Sequence, residues 1–333
     1  MNFESFVNQT QSEWELSAIR GLQVVCTISI IIAYTCSMME YISNNRYTVS
    51  ELTTKLLSFV KRNSTYLIDM FFFLSGSNLT YLYFKTSYQG KCRVLEQIIH
   101  FTAMITYKVC CIILPYTLVL ICTELTSKYF YSNSALDLPS FDHITCVHDK
   151  WLNILYIENF FPIVDRCMLW TWFISLEVHF FIAACLVLLL AQIHPKYAGA
   201  ICTGILIASI LATTVVEVDY IPAVKRDVEH ELMAFYLIFD KIWVRIPPYL
   251  LGMCLGYTLY KAGGKFEMNI FVIVFGWIAC VLILAGFGYG FHTVEFRVNP
   301  WVRAIISTLG HTIWSMVLFW IVLASISQYG GKY

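Results

Sequence analysis

Residues Arg166 to Phe181 read RCMLWTWFISLEVHFF. This stretch places one carboxylate, Glu177, in a run that is otherwise apolar enough to cross a bilayer. A helix here predicts one shared face for the carboxylate and four apolar side chains, those of Trp170, Phe173, Ile174 and Phe181. An ionisable group within a span usually faces a cavity or a partner rather than lipid and often marks a functional site. Two interpretations follow for Glu177: a structural hydrogen bond between helices, or a role in chemistry.

The composition of the chain is that of a membrane protein. Of 333 residues, 58% are hydrophobic and 13% are charged, and the mean hydropathy is +0.66. A soluble domain of this length would carry far more charge. The net charge of +0 and the lack of a basic tract argue against a nucleic-acid partner. Because Met1 to Ala18 is polar and acidic, we expect no cleavable signal peptide, and the first span would target the protein.

Apolar runs of about 17 to 25 residues predict an all-α bundle of transmembrane helices. There are eight such runs, near 19–39, 66–84, 102–124, 168–191, 198–216, 245–261, 269–289 and 303–326. The runs are continuous rather than alternating, so they do not predict a β-barrel. The predicted organisation is a short polar segment at 1–18 followed by one transmembrane domain at 19–333, in a multi-pass protein of the endoplasmic reticulum or plasma membrane.

Charge and sequons favour a cytosolic amino terminus. The short connection 85–101 contains Lys85, Lys91 and Arg93 and would then be cytosolic, as basic short loops usually are. In the same topology the long loop 125–167 is external. Asn63 belongs to an Asn-Ser-Thr sequon in the first external loop, so we predict N-glycosylation there.

Most of the 12 cysteines lie in or beside apolar runs, where cysteine acts as a small hydrophobic residue. Cys146 and Cys167 instead flank a polar loop predicted to face the oxidising side. We therefore predict a disulfide between them, the alternative being two free thiols. No cluster of cysteine and histidine has zinc-binding spacing, so we predict no metal site.

Other polar residues in the spans have both structural and chemical interpretations. Asp69 is predicted to pair with a basic group or with an acceptor hydroxyl. Arg245 is predicted to extend to the membrane surface or to pair with Asp69 or Glu177. Ser75 precedes Gly76 and favours close helix approach over a nucleophile, because no base has the spacing to activate it. None of the eight histidines has a serine or cysteine partner that the spacing reveals; His311 lies near a predicted membrane end, and His179 is interpreted as core or interfacial.

Several stretches together resemble a known family. Cys146 to Phe160 (CVHDKWLNILYIENF), followed by CMLWTW from Cys167, is similar to the loop and helix of the nose-resistant-to-fluoxetine-like branch of the membrane acyltransferase-3 superfamily. Two further motifs match that family: DMFFFLSG from Asp69 and RIPPYLLG from Arg245. The similarity runs from about Ser17 to the carboxyl end.

The resemblance implies a reaction. Family members transfer acyl groups other than amino-acyl groups from a cytosolic donor such as acyl-CoA to an acceptor on or beyond the far side. It implies no bound cofactor, with acyl-CoA as co-substrate, membrane lipids as partners, and a small hydrophobic or hydroxylated acceptor. It implies catalytic roles for Glu177 and Asp69. It also implies substrate contacts for Arg245, Trp170 and Ser75.

The first span departs from the family pattern, which has an arginine and a histidine where this chain has Gln23 and Tyr34. Eleven residues at about 100° each bring both positions to one helix face, roughly 16 Å apart. Glutamine supplies no fixed charge, and a phenol with a pKa near ~10 is a poor base at neutral pH. Two functions therefore remain open: a divergent acyltransferase, or a catalytically inactive member that binds or moves a lipid or small hydrophobic molecule.

Overall fold

All the regular structure described is helical. A computed structural model describes residues 13–42, 46–86, 94–134, 142–219, 240–262, 268–289 and 300–327. These residues form ten α-helices: α1 (Glu13–Ile42), α2 (Arg46–Thr86), α3 (Val94–Asn133), α4 (Asp142–His148), α5 (Lys150–Ile154), α6 (Trp172–Ile193), α7 (Pro195–Asp219), α8 (Ile242–Ala262), α9 (Ile270–Tyr289) and α10 (Pro300–Ile326). Three 3-10 turns, at Glu158–Phe160, Ile163–Asp165 and Leu169–Thr171, connect α5 to α6. The predicted all-α class is confirmed.

The predicted apolar runs lie on the eight long helices. In the described part of the chain, five helices are long and apolar enough to cross a membrane: Phe101–Asn133, Leu169–Ile193, Pro195–Val218, Ile270–Phe287 and Thr308–Ile326. The other three predicted runs lie on α1, whose apolar part at Gly21–Cys36 is shorter, and on α2 and α8, which carry Asp69 and Arg245. The protein is therefore an integral, helical membrane protein.

Two predicted loops are shorter than expected, because an apolar run marks only the part of a helix that crosses hydrocarbon. Helix α2 is continuous from Arg46 and includes Asn63, which was expected in a loop. The side chain of Asn63 is not among the described ones, so its glycosylation stays a prediction. Helix α3 continues to Asn133 and takes in the first part of the predicted loop 125–167. Residues 1–12 and 220–239 lie outside the described part.

The chain divides into two compact units. The first unit contains α1, α2, α9, α10, the part of α7 from Leu206 to Val218 and the part of α8 from Arg245 onward. Its core is built from apolar side chains of α1, α2, α8, α9 and α10, among them Cys26, Met70, Phe73, Leu255, Phe287, Trp314 and Leu318. Burial of these side chains holds the polar residues of α2, α8 and α10 in fixed positions.

Glycine allows α2 and α8 to touch backbone to backbone within this unit. A Cβ added at Gly252 would meet the carbonyl carbon of Phe73 at 2.8 Å, and one added at Gly256 would meet Ser77. A Cβ at Gly76 would likewise meet the backbone of Tyr249. The close helix approach predicted at Gly76 is confirmed.

We expect Gly252→Ala to lower the free energy of unfolding by about 1–3 kcal/mol, because the new methyl group overpacks a rigid backbone contact. The matched control is Gly204→Ala, where an added Cβ has no atom within 4 Å. Unfolding by sodium dodecyl sulfate in mixed micelles measures both variants. Equal stability of the two would contradict the expected role of Gly252.

The second unit contains residues 88–205 and 219–244. Its core joins α3, α4 and α6 to the turns between α5 and α6. The core residues are Tyr116, Leu120, Cys146, Tyr156, Met168 and Val178. The predicted disulfide is present: Cys146 of α4 is bonded to Cys167, with Cα atoms 4.6 Å apart, and both residues are fully buried. The disulfide fixes α4 against the turn that leads into α6.

Candidate functional site

Three ionisable side chains meet in the core of the first unit, and we call them the Asp69 cluster: Asp69, Arg245 and His311. Arg245 Nη1 donates to Asp69 Oδ1 at 2.8 Å. His311 Nδ1 makes a short contact with the other carboxylate oxygen, Oδ2. Asp69 and Arg245 are 0% exposed and His311 is 6% exposed, so water screens none of these charges.

Each member of the Asp69 cluster comes from a different helix. Asp69 lies on α2, Arg245 lies in the first turn of α8, and His311 lies on α10. Arg245 also donates to the carbonyl of Thr65, one turn before Asp69, at 3.2 Å. The ring of Tyr66 lies 5.0 Å from that of His311, centroid to centroid. This ring covers one side of the imidazole and limits its rotation.

The arrangement has two chemical capacities. A carboxylate that accepts a hydrogen bond from Nδ1 of a histidine fixes the tautomer in which Nε2 carries the lone pair, and this is how a histidine is held as a general base. The arginine supplies a permanent positive charge that stabilises the carboxylate. The same contacts would also serve as a structural ion pair between helices, because a buried charge requires a partner.

Of the two partners predicted for Arg245, the structure selects Asp69. Glu177 instead forms an ion pair with Lys108 of α3, with Nζ and Oε1 3.1 Å apart. Their side chains are 16% and 31% exposed, respectively, so this pair is partly open. The ammonium group of Lys108 also lies 5.3 Å from the ring of Phe181. Glu177 is thus placed in an inter-helix ion pair.

The predicted aromatic face around Glu177 is only partly formed. Trp170 lies in the 3-10 turn Leu169–Thr171 and not on α6, because Met168 has a left-handed backbone with φ 54° and the helix begins at Trp172. The side chain of Trp170 is 39% exposed. In the first unit, Ser75 lies on α2 one residue before Gly76, with a partly buried side chain.

Gln23 and Tyr34, which stand at the family's Arg and His positions, lie on α1 with partly buried side chains. The backbone carbonyl of Gln23 accepts a hydrogen bond from the Thr27 hydroxyl at 2.7 Å. The nearest buried residue along α1 from Gln23 is Cys26, whose thiol contacts Met70 Sδ at 3.0 Å. Neither glutamine nor tyrosine supplies the fixed positive charge or the general base that the family pattern has at these positions.

A second buried polar group, which we call the loop cluster, fills the turns before α6 in the second unit. It consists of Asn153, Glu158, Asn159, Arg166, Thr171, Ser175, Asp240 and Lys241. The hydroxyl groups of Thr171 and Ser175 each donate to Glu158 at 3.0 Å, and the Asn153 amide donates to the same carboxylate. These bonds join α5, the first 3-10 turn and the start of α6.

The other half of the loop cluster is an ion pair between Arg166 and Asp240, both nearly inaccessible. Arg166 Nη2 donates to the carbonyl of Phe161 at 2.7 Å, and Lys241 Nζ donates to the carbonyl of Asn159 at 2.8 Å. These charged side chains thus donate hydrogen bonds to backbone carbonyl groups in the irregular segment before α6, where few backbone N–H groups are available as donors.

Burial changes the acidity of the loop cluster. Desolvation raises the pKa of Glu158 to about 7, although hydrogen bonds from Thr171 and Ser175 and the charge of Arg166 act in the opposite direction. Burial also raises the pKa of Asp240, which the Arg166 guanidinium partly offsets. It lowers the pKa of Lys241, against the attraction of Asp240. Glu158 therefore titrates near neutral pH.

Sequence reasoning missed His311 and most of the loop cluster. His311 lies in the apolar run 303–326, so the argument applied to Glu177, that an ionisable group in a span requires a partner, would have found it. No comparable signal marks Glu158 or Asp240, because they lie in short polar segments where charged residues are common.

Comparison with known proteins gives one informative similarity. The chain resembles a nematode protein. This is the Nose resistant to fluoxetine protein 6 of Caenorhabditis elegans, to which it is 22% identical over 361 residues. The similarity covers 99% of this chain and 43% of the relative, so the chain spans less than half of that protein's length. No family model matches the chain. No solved structure matches it either. The similarity supports the nose-resistant-to-fluoxetine-like branch suggested by the sequence motifs.

Proposed function

We propose that this protein is an acyltransferase of the acyltransferase-3 type in which the Asp69 cluster supplies the base that the first span lacks. The observation that carries this proposal is the contact between Asp69 and Nδ1 of His311 beside Arg245. The phenol of Tyr34 cannot act as a general base at neutral pH, whereas an imidazole can.

In the proposed reaction, Nε2 of His311 accepts the proton of an acceptor hydroxyl group. The oxygen then attacks the thioester carbonyl of acyl-CoA, an ester bond forms, the carbon–sulfur bond breaks, and CoA leaves as a thiol after taking up a proton. Asp69 stabilises the imidazolium formed during the step, and the hydrogen bond from Arg245 holds the Asp69 side chain in position. Asp69 and Arg245 are thus positioning residues, and His311 is the proposed catalytic residue.

The predicted topology supports this assignment. With a cytosolic amino terminus, Asp69 lies toward the external end of its apolar run at 66–84, and Arg245 and His311 lie toward the external ends of the runs at 245–261 and 303–326. A base at this depth suits an acceptor on the far side of the membrane from the acyl-CoA pool. Trp170 and Ser75 stay as proposed substrate contacts, and Glu177 stays as a proposed catalytic residue. The reaction written above requires none of the three.

The test is acyl transfer by the purified protein in nanodiscs, followed as CoA thiol release and as labelled product. We expect His311→Asn to lower the rate by about 10²–10⁴-fold, the range for loss of a general base. The matched control is His194→Asn on an exposed residue after α6, which should leave the rate unchanged. An equal rate in His311→Asn and in the unmodified protein would exclude His311 as the base.

A second function is favoured by Gln23 and Tyr34: an inactive member that binds or moves a hydrophobic molecule. The double variant Gln23→Arg/Tyr34→His separates the two proposals. Acyl transfer by the unmodified chain would exclude the second proposed function, that of an inactive family member. Activity that appears only in the double variant would exclude His311 as a sufficient base.

A further inference from the structure

The ring of Tyr66 lies among three other aromatic side chains in the core of the first unit. Its centroid is 4.8 Å from that of Phe287, 5.0 Å from that of His311 and 6.1 Å from that of Trp314. Phe287 and Trp314 also contact each other, with centroids 5.6 Å apart. All four side chains are buried. Aromatic contacts at such distances have preferred geometries, so these rings hold the phenol in one position beside the imidazole.

Gly310, the residue before His311 on α10, leaves the space that this ring occupies. A Cβ added at Gly310 would lie 2.6 Å from the hydroxyl oxygen of Tyr66 and 3.2 Å from its ring carbons Cε1 and Cζ. The contact with the oxygen is too short for any side chain, whereas a shift of a few tenths of an ångström relieves the contacts with the carbons. The phenol therefore lies directly against the backbone of α10 beside His311.

One turn of α2 contacts His311 at two points. Tyr66 and Asp69 are three residues apart and so share one face of the helix. The carboxylate of Asp69 contacts Nδ1, and the ring of Tyr66 lies beside the imidazole. A hydrogen bond at one nitrogen alone would let the imidazole swing about that bond. The second contact prevents this motion and fixes the direction of Nε2.

We propose that Tyr66, in the space left by Gly310, is a positioning residue that holds Nε2 of His311 in the direction of the acceptor hydroxyl group. Its effect on rate rests on the proposed acyl transfer. The ring acts by contact, and its hydroxyl group takes no part in the reaction. Because the orientation of a base matters for the chemical step, Tyr66 should affect kcat and leave KM unchanged.

The first test compares Tyr66→Leu with Tyr66→Phe in the full-length protein in nanodiscs. Tyr66→Leu removes the ring and should lower kcat about 10–100-fold at unchanged KM, since a misplacement of ~1 Å costs up to about 100-fold. Tyr66→Phe keeps the ring contacts and should stay within about threefold of the unmodified protein. An unchanged kcat in Tyr66→Leu would overturn the proposal. Equal losses in the two variants would assign the effect to the hydroxyl group and would also overturn it.

Gly310→Ala tests the same position without removing the ring. The new methyl group displaces the phenol, so we expect kcat to fall about tenfold. In the Tyr66→Phe background the oxygen atom that collides is absent, and the same Gly310→Ala change should lower kcat by less than about threefold. The matched control is Gly204→Ala, where an added Cβ has no atom within 4 Å. Equal losses from Gly310→Ala in both backgrounds would contradict the role of the Tyr66 ring.

Nuclear magnetic resonance of protein labelled with ¹⁵N in its histidine rings tests the geometry without acyl transfer. The His311 signals are assigned by their loss in His311→Asn. We expect one sharp pair of ring signals in the unmodified protein and in Tyr66→Phe, and broadened or doubled signals in Tyr66→Leu and Gly310→Ala. Unchanged signals in Tyr66→Leu would overturn the proposal whether or not the protein transfers acyl groups. This measurement thus separates a failure of the positioning role from a failure of the proposed reaction.

Discussion

Replacing Arg245 with methionine is expected to lower the free energy of unfolding by about 3–5 kcal/mol, the cost of leaving one partner of a buried ion pair uncompensated. Asp69 is 0% exposed and lies 2.8 Å from Arg245, so water cannot replace the lost guanidinium. His311 would remain beside the carboxylate. Asp69→Asn should be costly for the converse reason, because it leaves a buried arginine without its anion.

The double variant Asp69→Asn/Arg245→Met distinguishes an ion pair from two independent packing positions. Removing both charges should recover most of the lost stability, since no uncompensated charge remains. The matched control is Lys261→Met in the last turn of the same helix, where the cation is exposed and its loss should change stability by less than about 1 kcal/mol. Titration with sodium dodecyl sulfate in mixed micelles measures the four variants and the unmodified protein. Additive losses in the double variant would contradict the pairing.

The helices of this protein can be predicted from its sequence because a backbone that crosses a membrane must form regular hydrogen-bonded structure. A backbone in hydrocarbon must satisfy its own hydrogen bonds, so a long apolar run is almost always a helix. Each predicted run lies on a long helix for this reason. The helix ends were less predictable. The polar extensions at Arg46–Asn63 and up to Asn133 carry no hydropathy signal, since they lie beyond the apolar runs.

The Asp69 cluster was predictable only in part. From the sequence alone, Arg245 either extends to the membrane surface or pairs with Asp69 or Glu177. The choice depends on which helices pack, and Asp69 is 176 residues away along the chain. His311, which is 242 residues from Asp69, joins them by the same packing. No rule based on sequence spacing predicts contacts between residues so far apart along the chain, because such contacts depend on which helices pack together.

The disulfide could be predicted from the sequence, whereas the loop cluster could not. Cys146 and Cys167 were predicted as a pair because they alone flank a polar loop expected in an oxidising compartment. Glu158 and Asp240 gave no such signal. Their burial arises from the folding of three 3-10 turns around them, and turns of this kind leave carbonyl groups that side chains must satisfy.

The buried carboxyl group of Glu158 is expected to make the second unit less stable as the pH rises. Its pKa is raised by burial from 4.5 to about 7, so the folded state binds the proton more tightly than the unfolded state. The resulting stabilisation is complete below the unfolded value near 4.5. It is lost progressively as the pH rises and is absent above about 7. The difference of the two pKa values corresponds to roughly 3 kcal/mol.

Glu158→Gln removes this dependence, because the amide stays neutral at every pH while keeping the shape of the protonated acid. We expect the variant and the unmodified protein to have equal stability below about pH 4.5, and the variant to be more stable by roughly 3 kcal/mol above about pH 7. The matched control is Asp165→Asn in the adjacent 3-10 turn, where the carboxylate is exposed and its loss should leave the pH profile unchanged. Thermal unfolding in detergent across this pH range measures all three proteins. Parallel curves for Glu158→Gln and the unmodified protein would mean that Glu158 is ionised in both states, held by Thr171, Ser175 and Arg166 rather than neutralised by burial.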